Sequence, residues 1–286
     1  MGTVAAHWIG NPDAQAVVLY LHGGGYTQPA TEGYYLYFKR LVEDLNTHAQ
    51  SKEIAVLVLA YQLAPEATYP TQLQEAATVL AHLLNETARS PADVFVTGDS
   101  AGGGLSMSLL SHILHPHPDV PRIELSAPLA GALLYSPLVS FSTDHDSIAR
   151  NAQLDMIPPI MLRRWAAMYL AKANPSNPET DPGPVTGDSY SEPASNPPSW
   201  WSGLHRVVGD VFIWAGTNEV LIDSIREFGR DLRDGWVEGD GQAQRVTYLE
   251  TLHEAHIAPI MQVMTSTSKS DAQVAIEEWY KVQLQR

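Results

Sequence analysis

Val94-Phe95-Val96-Thr97-Gly98-Asp99-Ser100-Ala101-Gly102-Gly103-Gly104 runs from an apolar, β-branched segment into Gly-x-Ser-x-Gly, and an apolar helical pattern through Leu105, Leu109 and Leu110 begins at once. A strand, a tight small-residue turn and a helix in that order form a nucleophile elbow, which holds a serine hydroxyl in the open. Small flanking residues let so sharp a turn form without side-chain clashes. The helix directs its N-terminus at the serine, where backbone N–H groups and the helix dipole favour developing negative charge. Ser100 is the candidate nucleophile.

The same alternation extends in both directions. Residues 16–21 are an uninterrupted apolar run, the mark of a strand buried on both faces, and lead directly into His22-Gly23-Gly24-Gly25-Tyr26. Residues 35–45 read as a helix and 54–61 as a second buried strand. Pro70 suits the first turn of the helix that carries Leu73, Ala76, Ala77, Leu80 and Leu84. Further strands are expected at 129–135, 211–215 and 245–249, the last with the alternating polarity of an edge. A helix is expected over 224–232, and a closing helix over 272–284 with Val274, Trp279 and Val282 inward. Strands alternating with helices imply an α/β fold: a mostly parallel twisted sheet with helices on both faces.

Between about 142 and 207 the alternation stops. Prolines cluster from Pro158-Pro159 to Pro197-Pro198 around one clear helix, 160–173. This reads as a cap or lid insertion in a single domain spanning 1–286. His112, His115 and His117 lie close together in a Pro-rich breaker and read as a surface loop, not a metal site.

In open α/β sheets, ligands bind beyond the carboxyl ends of the strands. Each block singled out here follows a strand. Ser100 needs a base late in the chain; His253 and His256 both follow the last strand, and His256 is preferred because His-Ile-Ala-Pro opens a helix. The base needs a carboxylate to hold its tautomer. Glu219 is favoured over Asp223, whose place in a first helical turn also suits capping. The order Ser100, Glu219, His256 is that of α/β-hydrolases. Oxyanion donors are expected from Ala101 N–H and from N–H groups among Gly23, Gly24 and Gly25. Tyr26, Trp200 and Trp201 are the aromatics expected to line the substrate pocket.

His22-Gly-Gly-Gly25, Tyr61-Gln-Leu-Ala-Pro-Glu66 and Gly98-Asp-Ser-Ala-Gly-Gly103 resemble three signature blocks of the hormone-sensitive-lipase-like family of α/β-hydrolases, a resemblance that spans about 17–260. It implies a cofactor-free serine esterase acting on carboxylic esters of short acyl chains. Ser100, His256 and an acid on the Glu219 loop form the triad, and Asp99 supports it. Three features depart from the family. The acid block reads Glu219-Val-Leu-Ile-Asp223 where Asp usually leads. Gln62 stands in place of an Arg, at the cost of an ion pair. The glycine block begins at His22, which implies that one or two opening strands and the N-terminal cap helices are missing.

A length of 286 residues with 44% apolar content supports a full core. A net charge of −15 argues against nucleic acid and anionic membrane surfaces as partners. No apolar run is long enough for a membrane span. The chain has no cysteine, which excludes a thiol nucleophile and fits the cytoplasm. The expected partner is a small-molecule ester; a homodimer is compatible with the composition. Lactone or amide hydrolysis, or acyl transfer, would use the same site. A non-catalytic ligand-binding member is the contrasting class: plant gibberellin receptors resemble the family but lack the histidine, which this chain retains at His256.

Overall fold

The computed structural model describes residues 4–47, 51–87, 89–174, 176–177 and 180–286. The strands are β1 (Ala5–Ile9), β2 (Ala16–Leu21), β3 (Ile54–Ala60), β4 (Val94–Asp99), β5 (Gly131–Tyr135), β6 (Val211–Gly216) and β7 (Val246–Thr251). The helices are α1 (Glu32–Leu45), α2 (Thr71–Asn85), α3 (Ser100–Leu114), α4 (Asp146–Arg150), α5 (Pro159–Tyr169), α6 (Ile222–Glu238), α7 (Ala258–Met261) and α8 (Asp271–Leu284). The strands form one sheet in the order β1-β3-β2-β4-β5-β6-β7. Only β1 pairs antiparallel, against β3; the other neighbours are parallel.

Alternation along each strand divides the core in two. Val17, Leu19, Leu21, Val94 and Val96 face one way, onto α2, α3 and α6. Val18, Tyr20, Val56, Val58 and Phe95 face the other way, onto α1 and α8. Two-sided burial is why these strands read as continuous apolar runs. Helix α3 is almost entirely buried because Gly102, Gly103, Ser106 and Ser108 let it lie close to the sheet. A Cβ added at Gly102 would stand 1.9 Å from the carbonyl oxygen of Leu21. Helix α8 starts at a capping box in which Ser270 and Gln273 satisfy each other's backbone N–H groups.

Several expectations need correction. β1 is a strand that the sequence reading did not name: its five residues are half exposed and lack the apolar run that marks the others. In α8, Val274 and Val282 are 46% and 50% exposed, while Ala272, Ile276, Tyr280 and Leu284 form the inward stripe. That face is set by the Tyr280 hydroxyl, 2.8 Å from Thr97 Oγ1, and by Trp279 against Phe95. The three histidines of the Pro-rich breaker are packed, not a surface loop: His112 Nε2 bonds Pro121 O at 2.9 Å and His115 Nε2 bonds Trp200 O at 2.8 Å. The Asp119 N–H donates to His117 Nδ1 at 3.1 Å.

The stretch between β5 and β6 divides into two parts. Residues of 146–165 stand over the carboxyl ends of the strands. Residues of 190–208 lie along α3 and α6, where Trp201 packs edge-to-face on Phe228.

Candidate active site

Ser100 opens α3 with φ of 49°, in the left-handed region that a non-glycine residue adopts only under constraint. The constraint comes from both sides. β4 is locked centrally in the sheet, and the Leu138 N–H donates to the Ser100 carbonyl at 2.8 Å. The side chain is thrown outward into a cavity of about 140 Å³ lined by Gly24, Gly25, Tyr34, Met156, Ile157, Trp165, His256 and Met261. Clefts of about 460 and 470 Å³ lie over α6 and β7 and beside α2, away from Ser100.

His256 lies in the loop before α7. Its Nδ1 stands 3.0 Å from Glu219 Oε2. Both side chains are buried, at 3% and 0% exposure. The other Glu219 oxygen accepts the Gly216 N–H at 2.7 Å and the Ser136 hydroxyl at 3.1 Å. Ser136 Oγ in turn accepts the Ile257 N–H at 3.1 Å, so one serine joins the acid to the histidine loop. Burial pushes the Glu219 carboxyl up and the His256 imidazole down. The hydrogen bond and charge between them act against burial on both. For His256 they prevail, and the ring keeps its proton to higher pH than a free histidine. His256 Nε2, the nitrogen turned away from Glu219, is buried and has no hydrogen-bond partner among the described residues. In unliganded enzymes the nucleophile–base hydrogen bond is often open and closes in the complex.

Asp223 takes a different role. It accepts from Arg150, from the Ser147 N–H at 2.8 Å and from Arg226, and so ties the start of α6 to α4. Of the two carboxylates, Glu219 is the one that meets the His256 ring. Gln62 also keeps a partner: its backbone and side-chain N–H groups both donate to Glu75, each at 2.7 Å, so a hydrogen-bonded contact from a neutral side chain stands where an Arg would form an ion pair.

The glycine block is held from below. Asp99, fully buried, accepts the Tyr20 hydroxyl, the Gly23 N–H at 2.7 Å and the Tyr34 hydroxyl at 3.0 Å. Burial raises its pKa to about 6 against the pull of those donors. His22 Nδ1 contacts Gly23 O at 2.7 Å, and the Tyr61 hydroxyl donates to His22 O at 2.7 Å. Gly23 therefore leaves the oxyanion set, because its N–H is committed to Asp99. Gly24 and Gly25 remain on the cavity wall with Ser100, and Ala101 lies in the unpaired first turn of α3. A Cβ at Gly25 would meet Trp165 at 2.3 Å, so only glycine leaves room for that wall.

The three expected aromatics lie elsewhere. Tyr26 is wholly buried, stacked on Tyr169 at 3.7 Å. Trp201 is wholly buried beneath α6. Trp200 donates its indole N–H to Ser111 Oγ at 2.8 Å, about three helical turns along α3 from Ser100. The reason is the fold of the insertion: its Trp-bearing half packs down on the helices, and α5 turns Trp165 toward the cavity. Sequence reasoning missed Trp165 and Ser136. Ser136 follows a strand like the other rim residues, and that position was its one available signal. Trp165 looks like any apolar residue on its helix.

A buried acid–imidazole pair beside an elbow serine, all beyond the carboxyl ends of a parallel sheet, is the arrangement that serine hydrolases use. Residues 18–257 match the Abhydrolase_3 family, described as an alpha/beta hydrolase fold, and the chain belongs to that family. It is 31% identical over 176 residues to LipR of Mycobacterium tuberculosis, covering 62% of this chain and 51% of that protein. It is 30% identical over 192 residues to an acetyl-hydrolase of Streptomyces hygroscopicus, covering 65% and 58%. The chain thus spans about half the length of these relatives. A solved esterase from the bacterial hormone-sensitive lipase family superposes with a TM-score of 0.71 at 22% identity, over 98% of this chain and 82% of that one. No helix among the described residues is long and apolar enough to cross a membrane.

Proposed function

We propose that this chain is a serine hydrolase cleaving carboxylic esters of small molecules through an acyl-enzyme. The observation that carries the reading is the 3.0 Å contact between His256 Nδ1 and the buried Glu219, with His256 lining the same cavity as Ser100. Glu219 fixes the tautomer, with the proton on Nδ1 and the lone pair on Nε2. As the Ser100 oxygen attacks the ester carbon, Nε2 takes its proton. The oxyanion is met by N–H groups of Gly24, Gly25 and Ala101, preorganised so that nothing need turn as charge develops. Collapse expels the alcohol, which receives the proton from His256. Water then attacks the acyl-enzyme by the same route and releases the acid.

A cavity of about 140 Å³ walled by Trp165, Met156 and Met261 suits a short acyl group. The relative named acetyl-hydrolase points the same way, and acetyl esters of small alcohols are the first substrates to try. The insertion serves as a cap, since Met156, Ile157 and Trp165 come from it. The test is turnover of p-nitrophenyl acetate together with labelling by a fluorophosphonate. We expect both in the wild-type chain and neither in Ser100→Ala or His256→Ala. Intact, folded protein that takes no label overturns the reading in favour of a ligand-binding member. Preference for a lactone or amide over the ester would reassign the substrate and leave the site unchanged.

A further inference from the structure

We propose that Asp155, in the insertion, is a positioning residue whose single carboxylate joins the acid loop, the histidine loop and the cavity wall. The inference rests on the hydrolase reading above. Asp155 follows α4 in a turn that continues the helical pattern: the Asn151 N–H donates to Ser147 O and the Asp155 N–H to Asn151 O. Ser147, Asn151 and Asp155 therefore recur every four residues on one side. That side grips the loop carrying Glu219. Ser147 Oγ donates to Val220 O at 2.7 Å, and Asn151 Nδ2 donates to Glu219 O at 2.8 Å and Thr217 O at 3.0 Å.

Asp155 completes the grip and extends it. One oxygen accepts the Val220 N–H at 2.6 Å, next to the acid. The other accepts the His256 N–H at 3.3 Å and the Met156 N–H at 2.7 Å, and Met156 lines the cavity. Three backbone donors from three parts of the chain converge on one side chain. Asn in its place would keep one acceptor and turn an N–H₂ group on another donor. The carboxylate also adds negative charge beside the imidazole, which becomes cationic in each half-reaction. The ionisable groups around that ring are Glu219 from the β6–α6 loop, Asp99 from the end of β4, Asp155 from the insertion, and Tyr34 from α1, whose hydroxyl is bound to Asp99. Glu254, in the histidine's own loop, is tied to Gln262.

The experiment compares wild type, Asp155→Asn and Asp155→Glu. Hydrolysis of p-nitrophenyl acetate is followed from pH 5 to 9, with the His256 titration read by ¹H–¹⁵N NMR. For Asp155→Asn we expect kcat to fall about 10- to 100-fold with KM little changed, since misplacement rather than lost binding is the defect. The acid limb and the NMR midpoint should both move to lower pH, because an anion has left the imidazole. Asp155→Glu should restore the midpoint but not kcat. A merely structural contact would lower the melting temperature without moving either midpoint. Wild-type kcat and an unmoved midpoint in Asp155→Asn overturn the proposal. Turnover that survives Ser100→Ala overturns the hydrolase reading instead, and the NMR titration still decides the role of Asp155.

Discussion

Asp99 and Ser100 are sequence neighbours with opposite environments. Ser100 faces the cavity, whereas Asp99 is fully buried beneath it and holds the glycine block through Gly23. Keeping a carboxylate there opposes folding at neutral pH. Its folded pKa of about 6 lies above the ordinary 3.8, so between these values the folded chain retains a proton that the unfolded chain releases. Stability from this group is therefore greatest at acid pH and declines as pH rises through about 6, by about 3 kcal/mol in all. Asp99→Asn cannot titrate. We expect the stability of wild type relative to Asp99→Asn to fall by about that amount between pH 4 and 7, measured by urea unfolding. A flat difference would mean that the hydroxyls of Tyr20 and Tyr34 already hold Asp99 ionised.

At the scale of elements, β2, β4 and α3 act as one unit. The elbow is possible only because α3 lies against the ends of β2 and β4, and Gly102 is the point of closest approach. Gly102→Ala should destabilise the fold by about 3 kcal/mol or more, because the methyl meets the rigid backbone of β2. A melting temperature within a few degrees of wild type would show that the helix can move away at little cost. These central elements were the most legible in the sequence: their apolar runs and glycine blocks are local signals. β1 was not legible, since a half-exposed edge strand of five residues carries little apolar pattern. The inward face of α8 was also misread. Its valines are apolar, but Tyr280 and Trp279 fix the helix rotation through contacts with β4 and β6.

Across the whole molecule, the net charge of −15 sets a field that every substrate crosses. At low ionic strength this field extends over about 30 Å, and at physiological salt over about 8 Å. An anionic acyl ester should therefore show a lower kcat/KM than its neutral counterpart at 10 mM salt, with the gap narrowing as salt is raised. A salt-independent ratio would place the charge away from the approach to the cavity.

Residue type and chain order alone pointed to an α/β sheet, the elbow at Ser100, the glycine block, and Glu219 and His256, which the fold brings to 3.0 Å of each other. Those signals are local: buried strands repeat apolar residues, sharp turns need glycine, and parallel topology sends every strand-end residue to one rim. The three-dimensional fold decided everything that depends on where a side chain lands. It committed the Gly23 N–H to Asp99, sent Trp200 and Trp201 to the helices, brought Trp165 to the cavity, and set Asp155 between the acid and histidine loops. No local pattern encodes these outcomes, because each joins residues far apart in the chain and follows from how the insertion packs on the sheet.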